Sequence, residues 1–320
     1  MFRIPEYGKR HRKSTHGGNT GELPVVSQGD MERQANPFFE TTRLQEIFLK
    51  VMNLDVMARF YSEVIGLREI GRGAGIVRLS ATGREPALVV LRQDPAFIPR
   101  SPASPGLFHI ALLYPDRREL ARAVRNAGQH NWRFQGFADH GVSEAAYLAD
   151  PEGNGLELYR DKPVEEWPRK ENGVAMVTEP LNVQELIAEI DGEELSSGAH
   201  PETMVGHVHL QVSNLGRAED FYRGVLGLEV TQKDYPGALF LSNNGYHHHF
   251  GLNIWNSRGV EPGPPDATGL EILTLCVDRG RFEEITERAA SQIPQSFRLE
   301  GEEAVLADSD GILTKIVSIR

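Results

Sequence analysis

Cysteine is nearly absent: Cys276 alone stands among 320 residues, so no disulfide can form within the chain. A reducing, cytoplasmic compartment fits that usage, and Cys276, inside an apolar run, reads as a small core residue. No run of about 18 apolar residues occurs, so no transmembrane helix and no membrane partner are expected. Positive charge is in deficit, with 34 Lys and Arg against 45 Asp and Glu and a net charge of −11. That balance argues against a nucleic-acid partner, which calls for a basic face. The one basic cluster, Lys9-Arg10-His11-Arg12-Lys13, has no apolar segment behind it and does not read as a signal peptide. Residues 1–42 are polar, rich in Gly, Ser and Thr, and without periodicity, which predicts a disordered arm.

The remainder has the composition of a globular protein and is long enough for two domains. It is also internally repeated. Val51-Met52-Asn53-Leu54, Phe60-Tyr61 and Val64-Ile65-Gly66-Leu67 recur 161 residues later as Val212-Ser213-Asn214-Leu215, Phe221-Tyr222 and Val225-Leu226-Gly227-Leu228. Each copy reads strand, helix, glycine turn, strand. The helix starts after Asn53 or Asn214 and carries apolar residues such as Val56, Phe60 and Val64 at helical spacing. The unit recurs within each copy: Phe108–Leu113 reads as a strand, Asp116–Ala127 as a helix and Leu156–Tyr159 as a final strand. The expectation is an α+β chain of four βαβββ modules in two domains, 43–162 and 204–320. A linker with a short helix, 163–203, joins them.

One stretch gathers chemistry, His140 to Tyr159, HGVSEAAYLADPEGNGLELY. The turn cluster Asp150-Pro151-Glu152-Gly153-Asn154 separates Tyr147 from Glu157. Alternation along the following strand sends Glu157 to the face opposite Leu156 and Leu158. A lone glutamate of this kind would read as a solvated edge residue. Its company changes the reading, because the order His140, Tyr147, Asp150-Pro151, Gly153, Glu157 resembles the pattern of type I extradiol ring-cleavage dioxygenases. These belong to the vicinal-oxygen-chelate superfamily of glyoxalases and bleomycin-resistance proteins, built from paired βαβββ modules. Ala138 stands where a Gly, Asn or β-branched residue is usual and Ala146 where a larger apolar residue is usual, positions that bear on packing more than on chemistry.

The resemblance implies roles. Glu157 would be an iron ligand, and Tyr147 and His140 would hydrogen-bond the substrate. On first strands of their modules, His109 and His207 match the family's two iron histidines. A histidine in Tyr246-His247-His248-His249 matches its acid–base catalyst, and His249 is preferred over His248. His209 reads as a neighbour and not a ligand, and Trp255 and Phe250 as core or pocket wall.

The first and fourth modules are nearly bare. Glu46 stands opposite His207 by the 161-residue offset. Val305 stands opposite Tyr147, Lys315 opposite Glu157, and Ile272, or in an alternative register Glu271, opposite His109. A lysine would repel a metal, so a site confined to the second half is excluded. The expected site lies between the halves, from His109, Glu157 and His207. Two histidines and one carboxylate form the facial triad of Fe(II) oxygenases, leaving three coordination positions for the two oxygens of a small aromatic diol and for O2. Mn(II) accepts the same donors. The alternatives are a glyoxalase-like lyase or isomerase using Ni(II) or Zn(II), with His249 as a fourth ligand, and a metal-free small-molecule binding protein. A homodimer is the general expectation for a chain of this kind.

Overall fold

The computed structural model describes residues 36–170, 173–194 and 198–319, so most of the predicted N-terminal arm lies outside the described residues. The four modules fold alike. The first holds β1 (Thr42–Val51), α1 (Leu54–Arg59), β2 (Arg68–Gly73), β3 (Ile76–Ser80) and β4 (Val89–Gln93). The second holds β5 (Gly106–Leu113), α2 (Arg117–Gln129), β6 (Gly136–Asp139), β7 (Ser143–Ala149) and β8 (Gly155–Asp161). The linker carries β9 (Arg169–Lys170), β10 (Gly173–Val174), β11 (Glu179–Pro180) and α3 (Val183–Ala188). The third module holds β12 (Met204–Gln211), α4 (Leu215–Glu219), β13 (Glu229–Gln232), β14 (Ala238–Ser242) and β15 (Phe250–Asn253). The fourth holds β16 (Gly269–Val277), α5 (Arg279–Gln292), β17 (Phe297–Glu300), β18 (Glu303–Ala307) and β19 (Leu313–Ser318).

Each helix begins at an Asx side chain that accepts a backbone N–H of the first turn: Asn53 from Val56, Asp116 from Glu119, Asn214 from Arg217 and Asp278 from Arg281. The helices of the first and third modules, α1 and α4, then widen into π-turns, Phe60–Val64 and Asp220–Val225. The wider turn buries Phe60 and Tyr61 side by side, and likewise Phe221 and Tyr222. A stripe at strict 3.6 spacing missed this, and Val56 is only half-buried.

Two sheets result. One runs β17-β18-β19-β16-β1-β4-β3-β2, the other β11-β6-β7-β8-β5-β12-β15-β14-β13. In every module the first strand lies parallel to the fourth, and first strands join antiparallel across modules, β1 with β16 and β5 with β12. The first module therefore shares a sheet with the fourth, and the second with the third. The expected boundaries, 43–162 and 204–320, delimit module pairs along the chain, and the sheets cross them. Helices pack on the sheets, and one continuous apolar cluster links them, including Leu49, Met57, Ile110, Leu120, Val208, Tyr222, Leu275 and Ile285.

The halves repeat one further device. Tyr61 donates its hydroxyl to Asp150 at 3.2 Å, and Tyr222 donates to Asp308 at 3.2 Å. Glu152 accepts the backbone N–H groups of Met52 and Asn53, and Asp310 accepts that of Ser213. The last turn of each even module thus caps the helix of the odd one. In the linker, Glu189 and Glu193 beside α3 pair with Arg117, Arg118 and Arg122 of α2. With β11 added to the edge of β6, this leads Met176–Thr178 across the open face of the nine-stranded sheet. Among the described residues no helix is long and apolar enough to cross a membrane.

Candidate active site

Strands β8, β5 and β12 are adjacent, and their register sets the centre of the site. Ala111 on β5 pairs with Glu157 on one side and with His207 on the other. Its methyl group leaves room between them, and His109, two residues earlier, shares its face. Glu157 Oε2 lies 3.0 Å from His109 Nε2 and 3.2 Å from His207 Nε2. One donor atom from each residue falls within 4.8 Å of the other two, and all three side chains are buried. Burial alone would raise the Glu157 pKa, but the charges and hydrogen bonds of His207 and His109 overcome it and hold the carboxyl well below its ordinary value. Burial lowers the His207 pKa to about 4. A carboxylate and neutral imidazoles are the forms that bind a metal. Apart from its approach to Glu157, His109 Nε2 has no hydrogen-bond partner among the described residues, as fits a nitrogen built to face a cation. The donor set suits a divalent transition metal.

The triad opens on a cavity of about 220 Å³, walled by Phe108, Met176, Tyr235, Phe240 and Trp255 among others. Tyr147 and His140 line it too. His140 Nδ1 lies 2.7 Å from the Val177 carbonyl oxygen and its Nε2 lies 2.7 Å from Tyr147 Oη. A carbonyl only accepts, so Nδ1 carries a proton, and the linker backbone fixes the ring that meets Tyr147. Burial and the Glu157 charge raise the Tyr147 pKa well above its ordinary value, so the phenol keeps its proton.

The histidine run corrects one expectation. His248 lines the cavity, its ring centroid 4.1 Å from that of His207. His249, the preferred base, does not line it: its Nδ1 lies 2.8 Å from Ser242 Oγ and its ring packs edge-on against Phe39. The physical reason is that β15 starts at Phe250, so strand alternation does not govern the turn before it. His209, read from the sequence as a neighbour, is buried, lines the cavity and has an Nε2 without a partner among the described residues. Its ring rests on Gly251, where a Cβ would come within 2.9 Å of His209 Cγ. Sequence reasoning missed the Met176–Thr178 wall, because an irregular linker carries no periodic signal. Trp255 is pocket wall and Phe250 is core.

The other sheet holds the equivalent face without the chemistry. Phe48 pairs with Ile272 as His209 pairs with His109, and Lys315 pairs with Val305 as Glu157 pairs with Tyr147. The register therefore selects Ile272, not Glu271, as the counterpart of His109. Phe48, Ala87, Val90, Ile272 and Val305 fill the space, and Glu46 is tied to Arg78 at 2.6 Å.

Residues 43–158 and 204–292 match the glyoxalase/bleomycin resistance protein/dioxygenase superfamily, and the chain belongs to it. Within it, the chain is 38% identical over 240 residues to a catechol-2,3-dioxygenase of Bacillus subtilis (strain 168), covering 74% of this chain and 83% of that one. Biphenyl-2,3-diol 1,2-dioxygenase 3 of Rhodococcus globerulus is 25% identical over 122 residues, 38% of this chain and 64% of that one. Glyoxalase I of Zea mays shares the fold, with a TM-score of 0.53 at 16% identity over 87% of this chain and 92% of that one.

Proposed function

We propose that this protein is a non-haem Fe(II) extradiol dioxygenase that opens a small, uncharged aromatic diol with O2. The observation that carries the reading is the buried His109–Glu157–His207 triad at the floor of a cavity that also presents Tyr147, His140 and His248. Similarity to a catechol-2,3-dioxygenase over most of both chains supports it.

His109, Glu157 and His207 would hold the metal through two imidazole nitrogens and one carboxylate oxygen. A ferrous ion there supplies open positions for diol and O2 and acidifies the diol hydroxyls. His248 takes the proton of a diol hydroxyl, since it lines the cavity beside His207. Burial and the surrounding histidines hold its pKa well below its ordinary value, so it awaits substrate as the neutral base. Tyr147 and His140 work as a pair. When His140 is neutral, its Nε2 accepts the Tyr147 hydroxyl; when His140 is protonated, it donates to the phenol oxygen and frees the phenol proton for a substrate oxygen. Phe108, Met176, Phe240 and Trp255 keep water away and stack on the ring. Among the described residues no Lys or Arg lines the cavity, and its volume is below the about 300–1,000 Å³ common for larger ligands, which favours a neutral single ring.

The glyoxalase-like alternative, with Ni(II) or Zn(II), needs a fourth protein ligand, and the packing of His249 against Phe39 speaks against its candidate. Mn(II) remains compatible with the same donors. The test is anaerobic purification with metal analysis, followed by catechol and air. About one iron per chain, O2 uptake and a yellow ring-opened product are expected. A fully metallated chain that consumes no O2 with any diol removes the proposal.

A further inference from the structure

Behind His248 lies a buried line of side chains that the reaction above leaves without a role. His247 is fully buried, and its Nε2 lies 2.9 Å from Asp161 Oδ1. Its Nδ1 lies 2.8 Å from His248 Nδ1. Asp161 closes β8, the strand that carries Glu157. Tyr246 donates its hydroxyl to the same Asp161 oxygen at 3.2 Å, and the Tyr246 ring covers His247 with centroids 4.0 Å apart. The Thr231 hydroxyl donates to the His247 carbonyl at 2.7 Å, which fixes the backbone.

For a neutral His247, elementary donor counting places each proton in this line. A carboxylate only accepts, so His247 Nε2 carries hydrogen toward Asp161. A neutral His247 then has a lone pair on Nδ1 and can only accept there. The hydrogen shared with His248 therefore sits on His248 Nδ1. That leaves Nε2, the ring nitrogen that His247 does not engage, with its lone pair free. The opposite tautomer of His248 would turn an N–H toward the diol and could not take its proton.

We propose that Asp161 and His247 are positioning residues that hold His248 in the tautomer whose Nε2 is the free base for the bound diol. The proposal rests on the dioxygenase reading for the identity of the substrate but not for the tautomer. In the transfer, the O–H bond of the diol breaks and its proton goes to His248 Nε2. The His248 Nδ1–H stays bonded to His247, and Asp161 faces the new cation through it. A carboxylate orients a catalytic imidazole in the same way in Ser-His-Asp triads, and here the effect passes through one further ring. Sequence alone conceals the arrangement, since Asp161 and His247 are 86 residues apart and belong to different modules.

The direct measurement is the tautomer. Long-range 1H–15N spectra of the full-length, 15N-histidine-labelled chain, loaded with diamagnetic Zn(II), should show His248 protonated at Nδ1, its signals assigned by their loss in H248Q. Protonation at Nε2 overturns the proposal. The kinetic arm uses two variants of the iron-loaded chain. H247N keeps an acceptor where Nδ1 stands, and H247F keeps a ring but no acceptor. H247F should lose about 100-fold in kcat, with KM and iron content within about threefold of wild type, while H247N stays within about tenfold. Equal loss in both variants, or none in H247F, overturns it. Should H247F not fold, D161N decides. Its amide presents either a donor or an acceptor to His247, so His248 should become a mixture of tautomers, and an unmixed spectrum counts against the relay. A wild-type chain that is fully metallated yet inert toward diols defeats the dioxygenase reading alone, because the tautomer still answers for Asp161 and His247.

Discussion

Glu157 and His207 meet at 3.2 Å across the seam between the second and third modules, with Ala111 paired to both. Neither half of the chain holds this arrangement by itself. Removing the carboxylate leaves two imidazoles, too weak together to retain a divalent metal after dialysis. E157Q should therefore purify with less than about a tenth of the wild-type metal, and it should lack the thermal stabilisation that metal gives wild type. Metal analysis and melting curves with and without chelator check this. Wild-type metal content in E157Q would show that the ion sits elsewhere.

The space behind the triad depends on a missing side chain. A Cβ on Gly206 would stand 1.8 Å from Tyr159 Oη and 3.0 Å from Leu113 Cβ. Tyr159 lies against the His207 ring with centroids 4.7 Å apart, and its hydroxyl pairs with Tyr246 Oη at 2.7 Å. G206A should destabilise the protein by about 1–3 kcal/mol or more, because Tyr159 must leave a close-packed interior. Adding Y159F, which removes the clashing oxygen, should recover part of the loss. Urea denaturation measures both, and an unshifted midpoint in G206A would mean that Tyr159 has room to move.

How far the site could be read from residues alone varies from part to part. Strand alternation and a common turn fix register, so Lys315 and Val305 occupy the places of Glu157 and Tyr147, as counting from Asp308 and Asp150 predicts. The three triad residues were legible because each sits on a regular strand of a repeated unit, and their donor atoms converge. Which histidine of 247–249 faces the cavity was not, because residues 246–249 form an irregular turn in which neighbours do not alternate. His209 was read only as a neighbour, and Asp161 carried no signal, since its partner His247 lies 86 residues away in another module.

Tyr222 and Asp308 carry a pH dependence. Burial raises the Asp308 pKa from 3.8 to about 7, against the backbone N–H groups of Ile312 and Asp310 that oppose it. Asp150, bonded to Tyr61, is raised by burial to about 6. A raised folded-state pKa means that the folded chain holds the proton more tightly than the unfolded one. The resulting stability is present in full below about pH 4 and is lost as pH rises through about 6 to 7. Replacing Asp308 by Asn removes its share at every pH. The melting temperature of wild type relative to D308N should therefore be several degrees higher at pH 5 than at pH 8. Calorimetry on metal-free protein keeps the triad's own titration common to both chains, and a pH-independent difference would refute the assignment.

The cavity lining also sets a substrate preference. Among the described residues it contains no Lys or Arg, so a carboxylate attached to the ring would be buried without a side-chain counter-charge. Desolvating an unpaired charge costs several kcal/mol, whereas a methyl substituent meets only Phe108, Phe240 and Trp255. For the proposed reaction, kcat/KM for catechol or a methylcatechol should exceed that for a carboxylated catechol by at least about 100-fold. Thr178 lines the cavity and is exposed, so a cation can be placed there without entering the core. T178R should narrow the gap by raising turnover of the carboxylated ring while leaving the iron content unchanged. Steady-state O2 uptake with both substrates measures the ratio. A wild-type chain that prefers the carboxylated diol would need a positive charge that the lining does not contain, and the neutral-substrate assignment would fall.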